Sequence, residues 1–143
     1  AVSLALQAVR DGREVLAVTS GRHELRRGPE AAITTLPTRS PKHLLDASCA
    51  VELDAAAEPL EAVTRLTAQA FPGLSIAFLV TGSGVAMQRL QRAAFAFPAD
   101  ATTVAVRVEP GAEPTLRATR DFTVLTIGVL DDLKHLIARG ALG

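Results

Sequence analysis

The chain has no tryptophan, no tyrosine, one methionine and one cysteine among its 143 residues. Without Trp or Tyr, a stacking platform for single-stranded nucleic acid would have to be built from Phe71, Phe78, Phe95, Phe97 and Phe122. All five sit in apolar runs and read as core. Net charge is lacking as well: fifteen Lys and Arg balance fifteen Asp and Glu, which removes the bulk attraction that nucleic-acid binders depend on. The single cysteine, Cys49, excludes an intrachain disulfide and a cysteine-rich zinc site, and it fits a reducing compartment. No run approaches the roughly 18 consecutive apolar residues of a membrane span. The opening AVSLALQAVRDGRE lacks the basic leader and cleavage site of a signal peptide. Its first residues already lie inside a helical pattern, so the chain reads as a piece of a longer protein whose anchor, if it has one, lies upstream.

What is present is enough apolar material to fold. Hydrophobic residues make up 48% and charged residues 21%, a balance that a disordered segment does not carry, and the length suits one α/β domain over residues 1–143. Residues 2–11 are apolar almost all round, which predicts a helix pressed between a sheet and its neighbours and stopped at Asp11-Gly12. EVLAVTSG (14–21) has no 3.6-residue period and reads as a strand buried on both faces. HELRRG (23–28) is a weak edge-strand candidate, and the segment from Gly28 to Ser40, rich in Thr and Pro, reads as the longest loop. Ser40-Pro41 is an N-cap followed by proline at the first helical position. It opens a predicted helix over 41–53 with Leu45, Cys49 and Leu53 on one face.

A second helix begins near Pro59, with Leu60, Val63, Thr67 and Ala70 aligned, and Phe71-Pro72-Gly73 ends it. LSIAFLV (74–80) is the strongest strand and runs into TGSG and a helix with Ala86, Leu90, Ala93, Ala94 and Phe97 inward and Arg89 and Arg92 outward. TTVAVRV (102–108) and FTVLTIG (122–128) are further strands, joined by a connector that starts with PGAEP. A last helix over 130–139 carries Asp131 and Asp132 in its first turn and Lys134, His135 and Arg139 nearer its end, matching the helix dipole. This alternation predicts a mostly parallel sheet with helices on both faces, the runs at 15–19, 74–80 and 122–127 lying side by side in one layer. A doubly wound sheet opens with a strand, and this chain opens with a helix. A strand lying upstream would be a central one.

Chemistry is sparse. TGSG, residues Thr81, Gly82, Ser83 and Gly84, follows a buried strand and opens a helix, where free backbone N–H groups receive anions. It lacks the third glycine of a dinucleotide fingerprint and the GK-Ser/Thr of a P-loop, and a tight turn with Ser83 as helix cap explains it as well. Thr19, Ser20 and Gly21 end another predicted strand, the region where open α/β sheets gather ligands, although Ser20 has no GxSxG context. His23, His43 and His135 lie in three separate elements, without metal-ligand spacing. The basic group Arg10, Arg13, Arg22, Arg26 and Arg27 reads as a solvated edge or a protein-contact patch.

AVSLALQAVRDGREVLAVTSGRHELRRGP, the proline-initiated helix after it, LSIAFLVTGSG and the closing TVLTIGVLDDLKHLIARGAL resemble the C-terminal von Willebrand factor A-like part of the bacterial "domain of unknown function 58" family, over nearly the whole chain. The resemblance implies a doubly wound, mostly parallel, Rossmann-like sheet whose first strand is missing from this chain. In von Willebrand A domains a metal-ion-dependent adhesion site draws on an Asp-x-Ser-x-Ser after the first strand, a Thr from a later loop and an Asp after the fourth strand. LVTGSG falls where that Asp is expected, and the position is Thr81 here. A hydroxyl brings no charge to a hard cation, so the implied site is degenerate, with no metal, no cofactor and no catalytic residue.

The same resemblance implies a cytoplasmic protein-binding module, tethered to the membrane by an upstream segment and working with a MoxR-type AAA ATPase in the assembly or maturation of other proteins. The partner would meet the loops at residues 19–21, 81–84 and 109–111. The alternative expectation is a small-molecule or nucleotide-binding enzyme that uses TGSG as its anion cradle. Unpaired backbone at an open sheet edge would also permit homo-oligomers.

Overall fold

In a computed structural model of the chain, which describes residues 1–20 and 33–139, the first helix, α1, runs over Val2–Arg10. It ends as its sequence dictates: Gly12 takes the left-handed conformation at φ 69, and the N–H of Arg13 closes on the carbonyl of Ala8 at 3.0 Å. Contrary to the expectation of a sandwiched helix, none of its residues is fully buried; it packs against α2 (Pro41–Ser48). The chain divides into two compact units, Ala1–Thr67 and Ala68–Gly143.

In the first unit, β1 (Ala17–Ser20) pairs antiparallel with β2 (Ile33–Leu36). The two form a sheet of their own, which corrects the expectation that the run at 15–19 shares a layer with those at 74–80 and 122–127. Its residues are half-buried throughout, as suits a short two-stranded ribbon. β2 also replaces part of the expected long loop: Ile33 and Leu36 are half-buried while Thr34 and Thr35 are exposed. The weak strand candidate at 23–28 lies outside the described residues. Helix α2 has the expected start, with Ser40 accepting from the His43 N–H at 3.4 Å and proline in the first turn, but it stops at Ser48 rather than continuing to 53. The Ser48 hydroxyl donates to the Leu45 carbonyl at 2.7 Å, a local bond that competes with helix propagation. Leu44 is consequently the buried residue, whereas Leu45, Cys49 and Leu53 are exposed.

Helix α3 spans Leu60–Ala70 and buries Thr64 and Thr67. Their hydroxyls are satisfied by carbonyls of their own helix, Glu61 at 3.2 Å and Val63 at 2.8 Å.

The second unit holds a four-stranded sheet. Its members are β3 (Ile76–Gly82), β4 (Thr102–Val108), β5 (Thr115–Ala118) and β6 (Thr123–Ile127), in the spatial order β3-β4-β6-β5. The first two and β6 are parallel, and β5 returns antiparallel on the outer side of β6. β4 therefore stands between the two runs expected to be neighbours. Thr103, Val104, Ala105 and Val106 are all buried, so this strand is covered on both faces, in keeping with a central parallel strand. Helix α4 (Met87–Ala94) packs on β4 through Leu90, Ala93 and Ala94, and α5 (Leu130–Ala138) packs on β6 through Leu133 and Leu136.

Two of the five phenylalanines depart from the expected core. Phe71 and Phe95 are exposed because each follows the last residue of a helix, where the apolar stripe has run out. β5 lies where the sequence predicts a connector. Every one of its residues is exposed, and an antiparallel edge strand needs no buried face to pair.

Candidate functional site

Parallel strands bring their carboxyl ends to one edge, and the register makes that edge explicit. Gly82, Val108 and Ile127 stand side by side on β3, β4 and β6. One residue earlier, Thr81, Arg107, Thr126 and Thr115 form a continuous row across all four strands. Registered neighbours share a face of the pleat, so this is a polar row laid over a sheet that is otherwise apolar at its centre.

Arg107 organises the row. Its Nη2 donates to the Ser83 carbonyl at 2.8 Å and lies 3.4 Å from Glu109 Oε2, with the two side chains 26% and 43% exposed. The guanidinium thus straps the turn after β3 to the end of β4. Its Nε and the Thr81 Oγ1 are out of contact with solvent and have no hydrogen-bond partner among the described residues. An unsatisfied buried polar group costs about 1–3 kcal/mol, so two on neighbouring strands mark this place as energetically incomplete.

The loops that frame the row have defined causes. Glu109 to Ala112 is a turn closed by the Ala112 N–H on the Glu109 carbonyl at 3.0 Å. Pro110 occupies its second position and Gly111, at φ 81, its third, the pattern of a type II turn. Gly128 follows β6 at a point where a Cβ would lie 2.5 Å from the Ala112 carbonyl oxygen, so only glycine lets the two loops approach this closely. Asp132 Oδ2 then accepts from the N–H groups of Gly128 and Val129, both at 2.9 Å. That carboxylate occupies the amino end of α5 from within.

TGSG does not open a helix directly. Thr81 and Gly82 belong to β3, Ser83 and Gly84 form a turn, and α4 starts only at Met87. Ser83 is not the cap, as expected of it; Ala86 holds that position, with no side-chain cap bond. What Ser83 contributes to the edge is its carbonyl, held by Arg107. Thr19 and Ser20 close β1 in the first unit, and Gly21 lies outside the described residues. Because β1 pairs antiparallel, the argument that ligands gather at the ends of parallel strands applies to residues 81–84 and not to 19–20. Thr19 and Ser20 lie on a strand of one sheet, and Thr81 and Gly82 on a strand of another.

Arg107 and Thr126 escaped notice in the sequence. The available signal was a lone cation next to last in the buried run TTVAVRV; Thr126 joins the row only through register. Among the described residues no three His, Cys, Asp or Glu side chains gather as a metal would require. The His43 ring lies 2.9 Å from the Ser40 hydroxyl and the His135 ring 2.9 Å from the Asp131 carbonyl, each on its own helix. His23 is outside the described residues.

Fold and edge together define a mixed α/β protein with a mostly parallel, Rossmann-like sheet flanked by helices. No family model, curated protein or solved structure matches the chain.

Proposed function

We propose that the chain is a non-catalytic module that binds a protein partner through the carboxyl edge of its four-stranded sheet. The observation that carries this reading is the rim of that edge. Met87 at the start of α4, Val108 at the end of β4, and Val129 and Leu130 around the start of α5 are 39%, 36%, 62% and 52% exposed. Large apolar residues set around a half-buried arginine are the composition of a protein-binding hot spot rather than of a solvated loop cluster.

The row also supports a metal-free von Willebrand A-like reading. Arg107 is the registered neighbour of Thr81, and a permanent cation on the adjacent strand opposes a divalent ion there. β3 pairs on one side only among the described residues, which accommodates the additional strand that such a sheet would need. The partner implied by the family resemblance is a MoxR-type AAA ATPase, with the module tethered to a membrane from upstream.

Co-purification with that ATPase tests the reading. Val129→Asp combined with Leu130→Ser should weaken capture at least about tenfold, the worth of one lost anchor. Phe95→Ser provides the control, because α4 runs back from the carboxyl edge and leaves the exposed Phe95 at the opposite end of the strands. Equal capture by all three proteins would end the assignment of this face.

A further inference from the structure

The polar row is short of an acceptor. Arginine only donates, and the Thr81 hydroxyl has nothing to donate to. Both atoms belong to registered neighbours on one face of the sheet, so one group carrying paired oxygens would satisfy both. A carboxylate has that form and takes charge-assisted hydrogen bonds from a guanidinium. A phosphate dianion fits worse, since Glu109 already sits 3.4 Å from Nη2 and the row supplies no second cation.

Access is closed as the chain stands, because neither atom touches solvent. The Ser83 carbonyl accepts from Nη2 at 2.8 Å, on the same guanidinium as the unpaired Nε. Gly82 and Gly84 flank Ser83, and at both positions the space where a Cβ would project is open, with no atom within 4 Å.

We propose that Thr81 and Arg107 form a covered receptor for the carboxylate of a partner protein's Asp or Glu side chain, admitted when the Ser83–Gly84 turn moves off the guanidinium. This rests on the protein-binding reading above and names the chemistry of the partner's central residue. A side chain is favoured over a free carboxylate because apolar contacts with Met87, Val108, Val129 and Leu130 would offset the opening of the turn, and a small free anion makes none.

The test uses the chain alone and follows the Arg107 Nε–H by NMR, assigned through its loss in Arg107→Lys. The probes are sodium acetate, sodium phosphate, and short blocked peptides with one glutamate or, as the control, one glutamine among apolar residues. The glutamate peptide should shift the Nε–H saturably, more tightly than acetate, and the glutamine peptide should not. Thr81→Val, which keeps the shape of the side chain, should weaken the glutamate response about tenfold, as expected for one charge-assisted hydrogen bond.

No saturable shift with the glutamate peptide, an equal shift with the glutamine peptide, or tighter binding of phosphate or acetate would each overturn the assignment. The rim variants decide the docking reading separately. Loss of ATPase capture in those variants, with an unresponsive Nε–H, sinks the carboxylate receptor alone. A responsive Nε–H with unimpaired rim variants sinks the ATPase-docking face and leaves the receptor chemistry standing.

Discussion

Replacing Gly128 by alanine tests the geometry of the carboxyl edge through a single methyl group. The added Cβ would lie 2.5 Å from the Ala112 carbonyl oxygen, 3.4 Å from its nitrogen and 3.6 Å from its carbonyl carbon. All three are backbone atoms of the loop that follows β4, so no flexible side chain can swing aside. Either the Glu109-to-Ala112 turn shifts or the start of α5 does, and the latter loosens the bonds from Gly128 and Val129 to Asp132. Forced overpacking costs about 1–3 kcal/mol, and loss of one charged acceptor bond adds about 1.5–3 kcal/mol. A loss of about 1–3 kcal/mol is expected if the turn shifts and about 2.5–6 kcal/mol if α5 does.

Without Trp or Tyr, the assay is urea unfolding followed by far-UV circular dichroism, with Gly73→Ala as reference because no atom lies within 4 Å of its would-be Cβ. The reference should stay within about 0.5 kcal/mol of the parent. If Gly128→Ala does the same, the loops after β4 and β6 do not meet as described and the edge loses its frame.

Three further outcomes follow from the same region. Asp132→Ala leaves two backbone N–H groups without their acceptor at the start of α5 and should cost about 1–2 kcal/mol in the same unfolding experiment. Thr81→Val removes a buried hydroxyl that has no partner and should stabilise the chain by about 1 kcal/mol; destabilisation by that amount would show that the hydroxyl is bonded after all. Lys134, hydrogen-bonded to Asp131 at 2.9 Å, holds that carboxyl below its ordinary value. Its contribution is therefore present above the unfolded value of about 3.9 and is lost as pH falls through the lower folded value. Asp131→Asn should lower the melting temperature slightly at neutral pH, with the difference closing in strong acid, as a pH series of thermal melts would read.

The parts of the fold that announce themselves in the sequence are those in which one physical signal dominates. Ala77 and Leu79 on one face and Val104 to Val106 at the centre are buried, and their strands read as strands because aliphatic and β-branched residues fill them. The start of α2 was visible in Ser40-Pro41 and the stop of α1 in Asp11-Gly12, since caps depend on one or two residue types. β2 and β5 were hidden by composition. Thr34 and Thr35 look like loop, and TLRA at 115–118 is exposed throughout, yet pairing with β1 and β6 satisfies their backbones.

The candidate site was half legible. TGSG pointed to the carboxyl edge of the parallel strands, because a turn after a buried strand is a local feature. What makes that edge distinctive is not local: Arg107 meets Thr81 and the Ser83 carbonyl only through the β3–β4 register. The exposure of Val129 and Leu130 likewise contradicts their place in an apolar run, TVLTIGVL, and follows from where β6 ends. Thr19 and Ser20 looked equivalent to Thr81 and Ser83 in sequence. The antiparallel partner of β1 separates them.

Hydrogen exchange of the chain with and without a MoxR-type ATPase tests most directly whether the carboxyl edge is the binding face. Slowed exchange is expected for the amides of residues 83–87, 108–112 and 128–131, which surround Arg107, and not for the segment following α4. Protection confined to the α4–β4 connection, or to the β1–β2 ribbon, with these three segments unchanged, would contradict the assignment.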